Sequence, residues 1–190
     1  REQPDLNWRN LELQEAMFNT MRFWLDKGVD GFRVDVMWHM VKDEQFRDNP
    51  HNPDYQPHQA TYERHIPIHS TDQPEVHEIV RKMRLVMDEY EERVMIGEIY
   101  LPVHRLVMYY GHENRGTHLP FNFQLLSIPW EPARLFSVIE EYESALPTGG
   151  WPNWVLGNHD QPRIISRIGP YQARIAAMLL LTLRGTPTIY

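Results

Sequence analysis

The six residues Gly31-Phe32-Arg33-Val34-Asp35-Val36 constrain this chain more than any other stretch. Phe32, Val34 and Val36 alternate with Arg33 and Asp35, and a period of two belongs to a strand. Arg33 and Asp35 therefore project from one face. A charged pair on an otherwise apolar strand is costly unless its members neutralise each other, so the two are expected to pair. Near a strand end, an Asp held ionised by a neighbouring Arg is a candidate nucleophile. Two more carboxylates recur in similar settings, in Ile96-Gly97-Glu98-Ile99 and Leu156-Gly157-Asn158-His159-Asp160.

The rest of the chain alternates helix and strand. Leu13, Met17, Met21 and Trp24-Leu25 fall at helical spacing between Asn10 and Lys27, with Gly28 as a stop. After the strand at 31–36 a short helix is expected from Trp38 to Phe46. Residues 47–71, rich in Pro, His, Asn and Asp, read as a long loop, and loops of that length in compact domains usually serve function. Asp72 to Glu75 reads as a cap with an early Pro before a long amphipathic helix ending near Tyr90. Strands are then expected at 93–100, 119–125, 153–160 and from Thr186. Helices are expected at 103–110, 131–146 and 171–184. Alternating β and α with apolar strands means a parallel sheet with helical crossovers.

Composition excludes several function classes. A net charge of −7 gives no footprint for nucleic acid or an anionic membrane, and no apolar run has the length of a membrane span. The absence of cysteine rules out disulfides and thiolate chemistry and suits a reducing, cytoplasmic setting. Six Trp and nine Tyr suit both a core and stacking on sugar faces.

In parallel α/β architectures the chemistry gathers at the carboxyl ends of the strands. Asp35, Glu98 and Asp160 each fall at such an end, nearly evenly spaced along the chain. Each has an ordinary structural reading on its own: an ion pair, a strand-end acid, a turn cap. Together they suit glycoside chemistry, in which one carboxylate attacks the anomeric carbon and a second protonates the leaving oxygen. Their environments must differ, with Arg33 keeping Asp35 ionised and Glu98 holding a proton near neutral pH.

Gly31-Phe32-Arg33-Val34-Asp35, Gly97-Glu98 and Asn158-His159-Asp160 closely resemble three signature regions of glycoside hydrolase family 13, the α-amylase family. Gln3-Pro4-Asp5-Leu6-Asn7 resembles the additional signature of its oligo-1,6-glucosidase and α-glucosidase branch. The resemblance implies a (β/α)8 barrel, of which residues 1–190 would form one partial catalytic domain running from about strand four to strand eight, with no second domain. It implies that Asp35 is the nucleophile, Glu98 the general acid/base and Asp160 a third acid that holds the sugar. Arg33 and His159 match family positions that contact the nucleophile and the sugar ring, and Arg163 is a candidate for the same pocket. Val36, directly after Asp35, resembles the α-1,6-cleaving branch, although a β-branched strand residue accounts for it equally well.

The family's first signature is absent from the chain, as are the first three strands, so the chain is expected to be a fragment, inactive in isolation. The expected activity is that of a retaining α-glucosidase on short oligosaccharides. The alternatives are a glucosyl transferase or isomerase of the sucrose or trehalose type, and a non-catalytic barrel subunit. No cofactor is called for, with Ca²⁺ a candidate only for parts of the enzyme outside this chain. His65, His69 and His77 lack the regular helix that would make their spacing a zinc signature. Residues 48–54 lack the Gly and closing Glu of a calcium-binding helix–loop–helix. That loop is expected instead to border the substrate pocket.

Overall fold

The computed structural model describes residues 5–190. Gln3 and Pro4 of the opening signature lie outside the described residues. Helix α1 (Leu11–Asp26) begins where the Asn10 side chain accepts the amide hydrogens of Glu12 and Leu13, at 2.8 and 3.3 Å. Such a cap is worth roughly 1 kcal/mol. It turns Phe18 and Leu25 inward and ends in Gly28, at φ 91°.

Strand β1 (Gly31–Val34) pairs in parallel with β2 (Val94–Gly97), and β2 with β3 (Leu119–Pro120). A parallel bridge between Asn122 and Trp154 carries the sheet on to β4 (Asn153–Val155). Strand β4 then pairs in parallel with β5 (Thr186–Thr188). All pairings run one way, so every strand delivers its carboxyl end to the same rim. Gly31 allows β1 and β2 to approach, because a Cβ there would lie 2.0 Å from the Val94 carbonyl oxygen.

The crossovers are α2 (Glu75–Met87), α3 (Val103–Leu106), α4 (Gln124–Ser127), α5 (Pro132–Ala145) and α6 (Ile164–Thr182). Helix α2 turns Val76, Ile79, Val80, Met83, Val86 and Met87 onto the sheet, where they meet Met37 and Met95. Deleting one such side chain typically costs about 2–5 kcal/mol. Arg22–Glu89 (2.6 Å) and Arg9–Glu75 (2.6 Å) tie α1 to the α2 region.

Several elements differ from expectation. Strands stop earlier: β1 at Val34, β2 at Gly97 and β4 at Val155, which leaves Asp35, Glu98 and Asp160 in the turns that follow. The short helix expected at 38–46 does not form, and only a 3₁₀ turn at Met37–His39 stands there. Asp43 is the reason, since its carboxylate takes the amides of Gln45 and Arg47 and the Arg47 guanidinium. A short acid that bonds nearby backbone competes with the helix, and the Arg47 pairing holds Asp43 well below the usual carboxylate range.

The strand expected at 119–125 shrinks to two residues, because Asn122 accepts the Gln124 amide at 3.0 Å and opens α4. Asp72 does not cap α2. It sits at φ 52° and takes Arg105 Nε (2.6 Å) and the Tyr109 hydroxyl (2.8 Å). The helix expected at 171–184 starts at Ile164 and is broken at Gly169 (φ 81°) before Pro170.

Residues 47–71 hold one 3₁₀ turn, Thr61–Arg64, and an antiparallel bridge between His51 and His65. Both ends of the segment are fastened. The Asp43 amide donates to the His69 carbonyl at 2.7 Å, and Asn49 takes the His69 amide and donates to Ser70 Oγ, both at 2.8 Å.

Candidate active site

Arg33 stands at the centre of the rim. One guanidinium nitrogen pairs with Asp35 Oδ1 and the other with Glu98 Oε2, the latter at 2.9 Å. Glu98 is held from three sides: its amide donates to the Val34 carbonyl (2.9 Å), its carbonyl accepts from Met37 (3.1 Å), and its Oε2 accepts the Val36 amide (3.0 Å). To present that amide, Val36 leaves the strand and takes a left-handed conformation, φ 37° and ψ 46°. The strand-residue explanation of Val36 therefore does not hold. A β-branched residue in that region is strained.

The two acids differ sharply in surroundings. Glu98 is 3 % exposed, while the Asp35 side chain is 67 % exposed. Burial pushes the Glu98 carboxyl above its ordinary value, and the neighbouring Asp35 carboxylate adds to this; the Val36 amide and Arg33 act in the opposite direction. Both donors engage Oε2, which leaves Oε1 as the oxygen to carry a proton. Gly97 makes the burial feasible, because a Cβ there would meet the Met37 sulfur at 2.9 Å.

Asp160 belongs to a separate turn. Its amide donates to Asn158 Oδ1 at 3.2 Å, and its carboxylate faces His159 Nε2 at 3.4 Å. Asn158 Nδ2 reaches across to the Tyr100 hydroxyl, and Tyr100 stacks on Phe123 with ring centroids 4.2 Å apart. This contact links the end of β4 to the end of β2. Asp160, Tyr100, Trp38 and the long loop residues Asn49, Tyr62 and His65 line a cavity of about 980 Å³. Asp35 lines an adjoining hollow of about 310 Å³, and His39 borders both. The structure thus joins Arg33, Asp35, Val36 and Glu98 directly and sets Asp160 and His159 beside them across Tyr100. Arg163 packs its guanidinium 4.1 Å from the centre of the Tyr190 ring, and that ring also neighbours His159, with centroids 6.2 Å apart.

Sequence reasoning passed over Tyr100 and Trp38 as site residues and took Asn158 only as part of the Asn158-His159-Asp160 signature and turn. The signal was present for Tyr100: an aromatic two residues beyond Glu98 lies on the same side of an extended chain. Among the described residues no cluster of three or more His, Cys, Asp or Glu side chains is arranged for a metal ion. Nor is any helix among them long and apolar enough to cross a membrane.

Parallel strands that bring a buried acid and an exposed acid together on one arginine at their carboxyl ends define a β/α domain with a candidate catalytic rim. The chain belongs to the α-amylase family, whose catalytic domain matches residues 1–190. It is 36 % identical to a salivary alpha-glucosidase of Anopheles gambiae, over all of this chain and 34 % of that protein. It is 37 % identical to an amino acid transporter heavy chain of Homo sapiens, over all of this chain and 29 % of that one. Among solved structures, the alpha-glucosyl transfer enzyme XgtA superposes with a TM-score of 0.88 at 33 % identity, covering 96 % of this chain and 36 % of that one. The chain therefore spans about a third of the length of these relatives.

Proposed function

We propose that this chain supplies the acid-bearing arc, about strands four to eight, of the barrel of a retaining α-glucosidase acting on short α-1,6- or α-1,4-linked oligosaccharides. The observation that carries the reading is the shared Arg33: it holds an exposed and a buried carboxylate, Asp35 and Glu98, and burial raises the Glu98 pKa. Two carboxylates gathered on one arginine, one of them buried with a raised pKa, suit a double-displacement mechanism.

Asp35, exposed and paired with Arg33, attacks the anomeric carbon and forms a glucosyl ester. Glu98 gives its Oε1 proton to the departing glycosidic oxygen. The resulting carboxylate then takes a proton from water, which attacks the same carbon and releases Asp35. Asp160 and His159, held by Asn158 and Tyr100, would bind the hydroxyls of the glucosyl ring. The longer reach of the cavity toward Tyr62 and the 47–71 loop would take the remainder of the substrate. A cysteine-free composition favours a cytoplasmic setting.

A second reading, transfer of the glucosyl unit to another sugar, uses the same residues and is favoured by the likeness to the alpha-glucosyl transfer enzyme XgtA. A non-catalytic barrel subunit has no use for all three acids. The test is product analysis of the longer protein that contains this chain, with maltose, isomaltose, sucrose and trehalose, together with trapping of a covalent glucosyl ester on Asp35. Glucose release with a labelled Asp35 supports hydrolysis, and new disaccharides support transfer. Absence of any ester on Asp35 during turnover overturns the mechanism.

A further inference from the structure

His51 and His65 face each other across the only bridge within the 47–71 segment among the described residues, and the register of that bridge is informative. The Asn52 amide donates to the Arg64 carbonyl at 2.8 Å, and the Ile66 amide to the Pro50 carbonyl at 2.9 Å. These two bonds flank the 51/65 pair without involving either residue. His51 and His65 are therefore a non-hydrogen-bonded antiparallel pair, the kind whose side chains stand closest and on one face. Their rings lie edge to face with centroids 5.9 Å apart.

Four of the other eight histidines have polar company. His118 Nδ1 accepts the Met95 amide, His69 faces Asp43, His77 faces Asp72 and His159 faces Asp160. His51 and His65 are exposed and, among the described residues, have each other. With metal–nitrogen bonds of about 2.0–2.1 Å, two imidazole rings on one tetrahedral ion have centroids roughly 5 Å apart. The observed ring separation is within about 1 Å of that distance.

We propose that His51 and His65 form a two-imidazole site for an imidazole-preferring divalent ion such as Zn²⁺, with water completing its coordination. Oxygen-preferring ions such as Ca²⁺ and Mg²⁺ are excluded by the donor type. The ion joins the two arms of the loop. Because His65 also lines the large cavity, the ion sits at the cavity wall. The site is independent of the glycosidase reading and stands whether or not the chain turns over sugar.

The test is calorimetric titration of the full chain with Zn²⁺ near neutral pH, with Mg²⁺ as the contrasting ion. One Zn²⁺ site is expected, and His51→Ala and His65→Ala should each weaken it by about 100-fold, since losing either ligand abolishes chelation. The double variant should weaken it no further, and His58→Ala, in the same loop, should leave it unchanged. Zn²⁺ should also protect the 47–71 loop from proteolysis in the parent chain and in His58→Ala but in neither His51→Ala nor His65→Ala. Small, additive losses in the two single variants would mean one-imidazole, adventitious binding and would overturn the proposal. So would the absence of a saturable site.

Discussion

The backbone amide of Val36 donates to Glu98 Oε2 at 3.0 Å, and it does so only because Val36 adopts a left-handed conformation that a β-branched residue disfavours. Strain in the main chain after Asp35 is thus used to hold the second acid. Val36→Gly keeps the amide and removes the steric conflict, which is worth roughly 1–2 kcal/mol. Part of that gain is offset by the greater freedom of glycine in the unfolded chain. The expected result in denaturant melts is a stability unchanged or raised by up to about 1 kcal/mol. Val36→Pro cannot take φ 37° and removes the donor, and it should cost about 3 kcal/mol or more.

Glu98 links pH to stability as well as to chemistry. Its folded-state pKa is raised above the unfolded value, so its contribution to stability is fully present below the ordinary carboxylate range and declines as pH rises through the folded value. Glu98→Gln stays neutral at every pH and can still accept from Val36 while donating toward Asp35. Melts across pH should show the variant more stable than the parent at pH 7, by roughly 0.5–2 kcal/mol. The gap should close on acidification.

Arg33 and Asp35 push the Glu98 pKa in opposite directions, down and up respectively. Arg33→Met should therefore raise the Glu98 pKa and Asp35→Asn should lower it, as read by infrared or NMR titration of the labelled carboxyl. For the proposed glucosidase, Asp35→Asn should reduce kcat by about 10³-fold or more while the melting curve changes little, because Asp35 is exposed.

Tyr100→Phe removes the hydroxyl that Asn158 reaches but leaves the stack on Phe123. The turn carrying His159 and Asp160 loses its tie to the end of β2. Steady-state kinetics of the longer enzyme should show about a tenfold fall in kcat/KM, near 1.4 kcal/mol, and the fold should lose no more than about 1.5 kcal/mol.

Gly97→Ala places a methyl carbon 2.9 Å from the Met37 sulfur and 3.1 Å from Thr117 Cγ2, directly before Glu98. A loss of about 1–3 kcal/mol in chemical denaturation is expected, and the Glu98 pKa should shift toward its ordinary value.

The parallel β/α order was legible because Phe32-Val34-Val36 and Val76-Ile79-Val80-Met83 carry different periods, and period distinguishes strand from helix. Strand length was not legible. Apolar residues continue past β1 and β4, but Val36 turns left-handed to serve Glu98, and Asn158 caps its own turn. Asp43 likewise uses up amides that the 38–46 pattern assigns to a helix. Each of these is a side chain bonding to backbone, which hydrophobic periodicity does not register. Of the site, the grouping of Arg33, Asp35 and Glu98 could be read from spacing once all three were placed at strand ends. The bridge from Tyr100 to Asn158 could not, since it depends on which strands become neighbours.

The fastening of the long insertion at Asp43–His69 and Asn49–Ser70 has a consequence for how such a chain diversifies. With both ends clamped near β1, residues 50–66 behave as a detachable cassette. Their identities can drift, lengthen or be exchanged without passing strain to Asp35, so reach and selectivity of the cavity can change while the acids stay where they are.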